Sequence, residues 1–259
     1  MGLSDTRTPP SPQTVPARVQ RSAPDIQARY YTDTAAAYEA MHLHEDDGHA
    51  VALRFMSALV DQFHIRSVLD VGCGTGRAVR HLRERHDGLQ VRAVEPSRVL
   101  IRQAIDAHGL ARAGLVCARG EALPYPDASF DAVCEFGILH HVADPNAVVR
   151  EMLRVARRAV FLSDSNRFGQ GSRPSRLAKL ALYRLKLWPL ANYVKTRGRG
   201  YTISPGDGLT YSYSVFDSYE LLAAWAQRVI LVPTLPVSAW SWAHPLLSSG
   251  QVLACALRD

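Results

Sequence analysis

The run Val68-Leu69-Asp70-Val71-Gly72-Cys73-Gly74-Thr75-Gly76 constrains this chain more than any other stretch. An apolar, β-branched segment ends on an acid and then breaks into glycines at alternate positions. Ala78, Val79 and Leu82 follow at helical spacing, so the segment reads as strand, tight loop and helix. Glycines let the backbone turn sharply and approach a ligand with no Cβ in the way. The following helix adds unpaired N–H groups and the positive end of its dipole. The unit predicts an α/β sheet with a nucleotide-type pocket at the carboxyl end of a strand.

Spacing narrows the nucleotide. A dinucleotide fingerprint G-x-G-x-x-G/A needs Gly or Ala at position 77, where the helix lies close to a pyrophosphate. Arg77 stands there instead. The G-x-x-x-x-G-K-[ST] pattern of a P-loop is missing as well. The remaining D-V-G-C-G-T-G resembles motif I of the class I S-adenosylmethionine (SAM) dependent methyltransferases.

Three later landmarks follow in order. Residues 89–95 read as a short strand ending on Glu95, about 20 residues past the loop, the interval at which a carboxylate accepts ribose hydroxyls. Pro96 follows, and Ser97 caps a helix reaching about residue 108. Residues 117–125, after a third strand at 113–117, resemble the family's adenine-edge segment. Glu121 stands where Asp is commoner, and Ala122 offers only backbone. Residues 129–142 open with F-D-A-V on a buried strand and close with L-H-H-V. They resemble motif IV of the small-molecule, methyltransferase-11/UbiE-like branch.

The resemblance implies a Rossmann-like, doubly wound, seven-stranded α/β sheet over residues 25–259. Its terminal antiparallel pair would be 228–235 and 251–257, with a substrate-capping insertion at 164–216. It implies SAM as cofactor, with Asp70, Gly72, Cys73, Gly74 and Gly76 at the loop. Glu95 and Pro96, Glu121 and Ala122, Phe136 and Tyr30 would complete the cofactor site. SAM carries an activated methyl, so the protein has mainly to position donor and acceptor and exclude water. A base is needed only where the acceptor loses a proton. His140 and His141 are the candidates, because a neutral imidazole titrates near working pH; the alternative is that both are structural loop residues. Neighbours in an extended backbone face opposite ways, so one of the two is expected to address the substrate.

Metal signals are weak. Glu135, Asp164 and Asn166 follow two strands and offer oxygen ligands, but the wider sequence does not resemble metal-assisted catechol methyltransferases, and no metal is expected. Cysteines 73, 117, 134 and 255 lack zinc or iron–sulfur spacing, and three of them, in or beside strand-like apolar runs, read as reduced core thiols.

Outside the motifs, residues 1–24 have almost no large apolar side chains and read as a disordered tail without a secretory core. No apolar run reaches about 18 residues, and the expected compartment is the cytoplasm. Residues 25–39 read as a helix bearing Tyr30, Tyr31 and Tyr38; it resembles the family's lid over SAM and equally suits a packing helix. Residues 41–49, with three His and three acids, read as a solvated loop at the pocket mouth. Residues 165–200 hold nine basic residues and no acid, around an apolar stripe of Leu177, Leu180, Ala181, Leu185 and Trp188. A solvated face is the first reading, an anionic substrate the second, and a membrane or nucleic-acid surface the third. Residues 202–215 read as a hairpin or extended lid. Trp240, Trp242 and His244 are expected at the substrate mouth.

The expected function is methyl transfer to an O, N, S or C acceptor of a partly anionic small molecule, such as a secondary metabolite. Two alternatives stay open: a SAM-binding partner subunit or cyclase without transfer, and an RNA or lipid methyltransferase using the basic segment. E-F-G-I-L-H-H stands where methyltransferases of base amino groups carry [DN]-P-P-[YF], which argues against a nucleic-acid amine.

Overall fold

The computed structural model describes residues 23–34, 39, 46–235 and 243–258. Among the described residues helix α1 (Ala23–Thr34) comes first, so Ala23 and Pro24 belong to a helix rather than to the expected tail. Helix α2 (Gly48–Gln62) is capped by Asp47, whose carboxylate accepts the Ala50 N–H at 2.8 Å. The glycine unit folds as strand β1 (Ser67–Val71), loop and helix α3 (Arg77–Arg85). Strand β2 (Gln90–Val94) leads into α4 (Arg98–Asp106), capped by Ser97. Strand β3 is only Leu115–Val116, shorter than the sequence suggests. Strand β4 (Phe130–Phe136) is followed by α5 (Pro145–Val155), capped by Asp144, and by β5 (Ala156–Ser165).

The sheet closes further along the chain. After α6 (Arg173–Arg184) and α7 (Trp188–Lys195) comes a separate hairpin of β6 (Tyr201–Ser204) and β7 (Gly208–Tyr211). Helix α8 (Tyr219–Trp225), strand β8 (Arg228–Pro233), the short α9 (Pro245–Ser248) and strand β9 (Gln251–Leu257) complete the chain. The seven-stranded sheet runs β3-β2-β1-β4-β5-β9-β8, with β9 antiparallel to both neighbours. This is the expected sheet with its terminal antiparallel pair. Strand β4 is buried along nearly its whole length, because helices cover both faces of a parallel sheet. Leu53, Met56, Val79, Leu82 and Phe161 fill one core, and Leu69, Val133, Val148, Met152 and Leu222 the other. Cys73, Cys134 and Cys255 are free, buried thiols, while Cys117 is exposed.

Strand β1 has β2 on one side and β4 on the other. The strand order reverses there and leaves a crevice at the carboxyl ends.

The basic segment is two helices rather than one stripe. Lys186 adopts φ +58° and Pro189 sits in the first turn of α7, so the apolar positions do not form one continuous face. Arg167 anchors this region. Its guanidinium makes a bidentate pair with Asp217 and stacks over Phe168, Tyr183 and Trp188 at 4.6, 5.3 and 5.1 Å. Helix α1 rests on β7, where Gln27 Oε1 accepts the Leu209 N–H at 2.6 Å. Most of the 1–24 tail, Tyr38, residues 41–45, Trp240 and Trp242 lie outside the described residues. No helix among the described residues is long and apolar enough to cross a membrane.

Candidate functional site

The glycine loop turns where β1 ends. Gly72 adopts φ +73°, and a Cβ there would stand 2.5 Å from Ile138 Cγ2; both facts exclude a larger residue. Gly76 caps α3 at φ +88°, where a Cβ would meet Leu110 at 2.2 Å. The loop, β2 and β4 thereby border a cavity at the switch point. Asp70, Gly72, Cys73, Gly74, Glu95 and Phe136 line it, and Tyr30 covers it from α1. Gly76, Pro96, Glu121 and Ala122 are not among its lining residues; Glu121 is paired with Arg119 at 3.0 Å.

Two acids make the floor. Glu95 Oε2 accepts the Gly74 N–H at 3.0 Å and Oε1 the Ser97 N–H at 2.8 Å. Each oxygen keeps a lone pair for a further donor. Burial outweighs those two bonds and pushes Glu95 up to about 7. Asp70, only 2% exposed, is pushed up to about 7 by burial and by the neighbouring Glu95 charge. Its Oδ2 is buried with no hydrogen-bond partner, an unmet acceptor at the cavity wall.

Opposite the floor stands a histidine rim. Gly137, at φ +78°, ends β4, and Leu139–His141 forms a 3-10 turn. Asp164, at the end of β5, organises it. One oxygen accepts the N–H groups of Leu139 and His140 at 2.8 and 3.3 Å, and the other meets His140 Nδ1 at 2.7 Å. The expectation that the two histidines face opposite ways is corrected: in the 3-10 turn their rings lie 4.0 Å apart and both line the cavity. His140 is also not the neutral imidazole expected from its ordinary value. Burial lowers it, but Asp164 and Asp207 together hold it at about 10. Asp164 is held below the usual carboxylate range, the His140 charge and hydrogen bonds overcoming its burial. His141 Nδ1 meets the Leu209 carbonyl at 2.7 Å.

Three residues were not legible as site residues. His49 lies in α2, not in a solvated loop. Its Nδ1 is 3.0 Å from Ser163 Oγ, and burial lowers it to about 4. Asp207 sits between β6 and β7, with its carboxylate 3.5 Å from Nε2 of both His140 and His141. Arg77, which breaks the dinucleotide fingerprint, lines the cavity and makes a bidentate pair with Asp47. The P-G-D-G turn and the Asp47 helix cap were the available signals for two of them.

The oxygen set considered for magnesium does not assemble. Asn166 directs its amide to the carbonyls of Pro245, Leu246 and Ser249. A second cavity of about 450 Å³, bordered by Tyr201, Tyr211 and Lys195, adjoins the first; His49, His140 and Asp207 line both.

Residues 69–162 match the family described as a methyltransferase domain. Ajmaline N-methyltransferase of Rauvolfia serpentina is 32% identical over 144 residues, covering 50% of this chain and 49% of that protein. Malonyl-[acyl-carrier protein] O-methyltransferase of Halorhodospira halophila is 33% identical over 149 residues, 57% of this chain and 47% of its own. The chain thus spans about half the length of these relatives. The solved structure of magnesium protoporphyrin IX methyltransferase from Synechocystis PCC 6803, with bound SAH, superposes with a TM-score of 0.58 at 16% identity, over 92% of this chain and 100% of that one. At that identity the likeness concerns the fold.

Proposed function

We propose, from the premise that the chain belongs to the class I SAM-dependent methyltransferase family, that it transfers the methyl group of SAM to a small-molecule acceptor. One observation carries this reading: the glycine loop and buried acids face a polar histidine rim across one cavity, and a second cavity opens beyond that rim.

The residues present fit the cofactor. Glu95 keeps lone pairs for ribose hydroxyls, Asp70 Oδ2 lacks a donor, and the glycines leave the loop free of side chains. Bound SAM supplies an electrophilic methyl on its sulfonium sulfur. Tyr30 and Tyr31, on α1, cover the cavity and exclude water. His140 and His141 meet the acceptor and orient its heteroatom, each ring fixed from behind by Asp164 or Leu209. The second cavity receives the body of the acceptor, with Tyr201 and Tyr211 as aromatic walls and Lys195 for an anionic group.

The test is transfer of labelled methyl from SAM into host extract, separated into small-molecule, lipid, RNA and protein fractions. Label in the small-molecule fraction supports the reading. Label confined to RNA or protein overturns it.

A second reading, a lipid-borne acceptor, has its own observation. Leu185, Leu190 and Val194 are 67%, 62% and 69% exposed beside Lys186 and Lys195, an apolar and basic pairing suited to an anionic bilayer surface. Label in the lipid fraction, with retention on anionic vesicles, would favour it.

A further inference from the structure

His140, His141 and Asp207 bring three metal-ligating atoms within 4.8 Å of one another. Nε2 of His140 lies 3.5 Å from one Asp207 oxygen, and Nε2 of His141 lies 3.5 Å from the other. An ion with bonds of about 2.0–2.2 Å to nitrogen and oxygen sets neighbouring ligand atoms about 3–3.5 Å apart. The three side chains therefore stand near a coordination spacing already.

The atoms behind them carry the argument further. Ligating histidines donate their second ring N–H to a carboxylate or a backbone carbonyl, which fixes the tautomer and aims the free nitrogen at the metal. Both supports are present. His140 Nδ1 is 2.7 Å from the fully buried Asp164 carboxylate, and His141 Nδ1 is 2.7 Å from the Leu209 carbonyl. Each ring thus turns Nε2 toward Asp207, and on binding the ion takes the place of the proton that the two carboxylates hold on His140. The 3-10 turn that puts two consecutive histidines on one side is itself held by Asp164.

We propose that Nε2 of His140, Nε2 of His141 and the Asp207 carboxylate bind one divalent first-row transition-metal ion. Three protein ligands leave at least one coordination position open. His140 and Asp207 line both cavities, so the ion stands at the boundary between them. Two imidazoles select zinc, iron, cobalt or nickel over magnesium and calcium, which prefer all-oxygen shells. The open position takes an oxygen of the acceptor and lowers the affinity of that oxygen for its proton. This last role rests on the proposed methyl transfer; the binding of the ion does not.

The experiment uses the full, untagged chain, stripped of metal and titrated with Co²⁺ while the visible d–d absorption is read, then with Zn²⁺ by calorimetry. One equivalent per chain is expected. Asp207→Asn, in the hairpin turn, should weaken binding at least tenfold, with folding checked in parallel by circular dichroism and thermal melting. Asp164→Asn, which removes a support and no ligand, should weaken it about 10- to 100-fold, a loss that a casual surface site would not register. Failure to bind Co²⁺ and Zn²⁺ overturns the proposal, and so does binding that Asp207→Asn leaves unchanged. Because the ion is read directly, a protein that binds metal but transfers no methyl would sink the proposed function alone.

Discussion

The Leu209 carbonyl meets His141 Nδ1 at 2.7 Å, joining the tip of the β6–β7 hairpin to the turn after β4. A carbonyl can only accept, so Nδ1 carries a proton and Nε2 is the ring nitrogen turned to the cavity and to Asp207. The N–H of the same Leu209 is donated to Gln27 on α1. One residue's backbone thereby holds the covering helix and aims a site histidine.

Gln27→Ala should therefore loosen α1 without touching the cavity. Loss of one buried hydrogen bond costs about 1 kcal/mol. Amide exchange over residues 23–34 should accelerate several-fold while the sheet keeps its protection. Unchanged exchange would mean that α1 is held by other contacts.

Glu95→Ala removes the acceptor proposed for the ribose and the anchor of the Gly74 N–H. SAM affinity should fall about tenfold to a hundredfold, equivalent to about 1.4–3 kcal/mol. Calorimetric titration on folded variant decides it, and an unaltered dissociation constant would refute the cofactor assignment.

His140→Ala and His141→Ala should each lower turnover, by roughly a hundredfold for the more important of the two, with SAM affinity intact. The split between kcat and cofactor binding is the informative quantity. If both variants turn over normally, the acceptor is not placed against this rim.

The two floor acids give a pH signature. Asp70 rises from 3.8 to about 7 and Glu95 from 4.5 to about 7 on folding, chiefly through burial. Between those values the folded chain keeps protons that the unfolded chain releases, so their stabilisation is complete in acid and is lost as pH rises through about 7. His49, lowered from 6.5 to about 4, works in the opposite direction and only below about 6.5. Above that, melting temperature should fall, and His140, raised from 6.5 to about 10, should carry the fall on beyond pH 8, while Asp70→Asn should flatten only the part below about pH 8. Cationic SAM favours the ionised acids, so its thermal shift should grow over the same interval. A ligand shift independent of pH would separate these acids from the cofactor.

Arg167→Ala leaves the Asp217 carboxylate with the Ser214 N–H and removes the cation stacked on Phe168, Tyr183 and Trp188. Losing a charge-assisted pair whose carboxylate stays partly solvated costs about 1–3 kcal/mol. A melting temperature lowered by several degrees, with faster exchange in 173–211, is expected. Loss spread evenly over the sheet would show that Arg167 supports the whole domain instead.

What was legible in the sequence is what is local. The glycine loop, the acid ending β2 and the Asp144 cap each depend on residues a few positions apart, and periodicity and capping chemistry reveal them. The histidine pair was found but misdirected, because its geometry comes from Asp164, a strand away in sequence and adjacent in space. His49 and Asp207 were passed over for the same reason: a helix start and a hairpin turn look like solvent-facing segments until the fold brings them to one cavity. The break between α6 and α7 was readable at Pro189, which lacks an N–H and suits the first turn of a helix rather than its interior; the apolar spacing across it concealed the signal.

Arg77 joins two facts that look unrelated in the chain. Its side chain stands where a dinucleotide site needs a small residue, and it clamps Asp47, which in turn starts the helix carrying His49. Shrinking that side chain to admit a pyrophosphate would unfasten a wall of the same chamber. Cofactor identity here is a shared property of two helix beginnings, so exchanging one nucleotide for another would require at least two coordinated substitutions, and an intermediate carrying only the first would be suited to neither ligand.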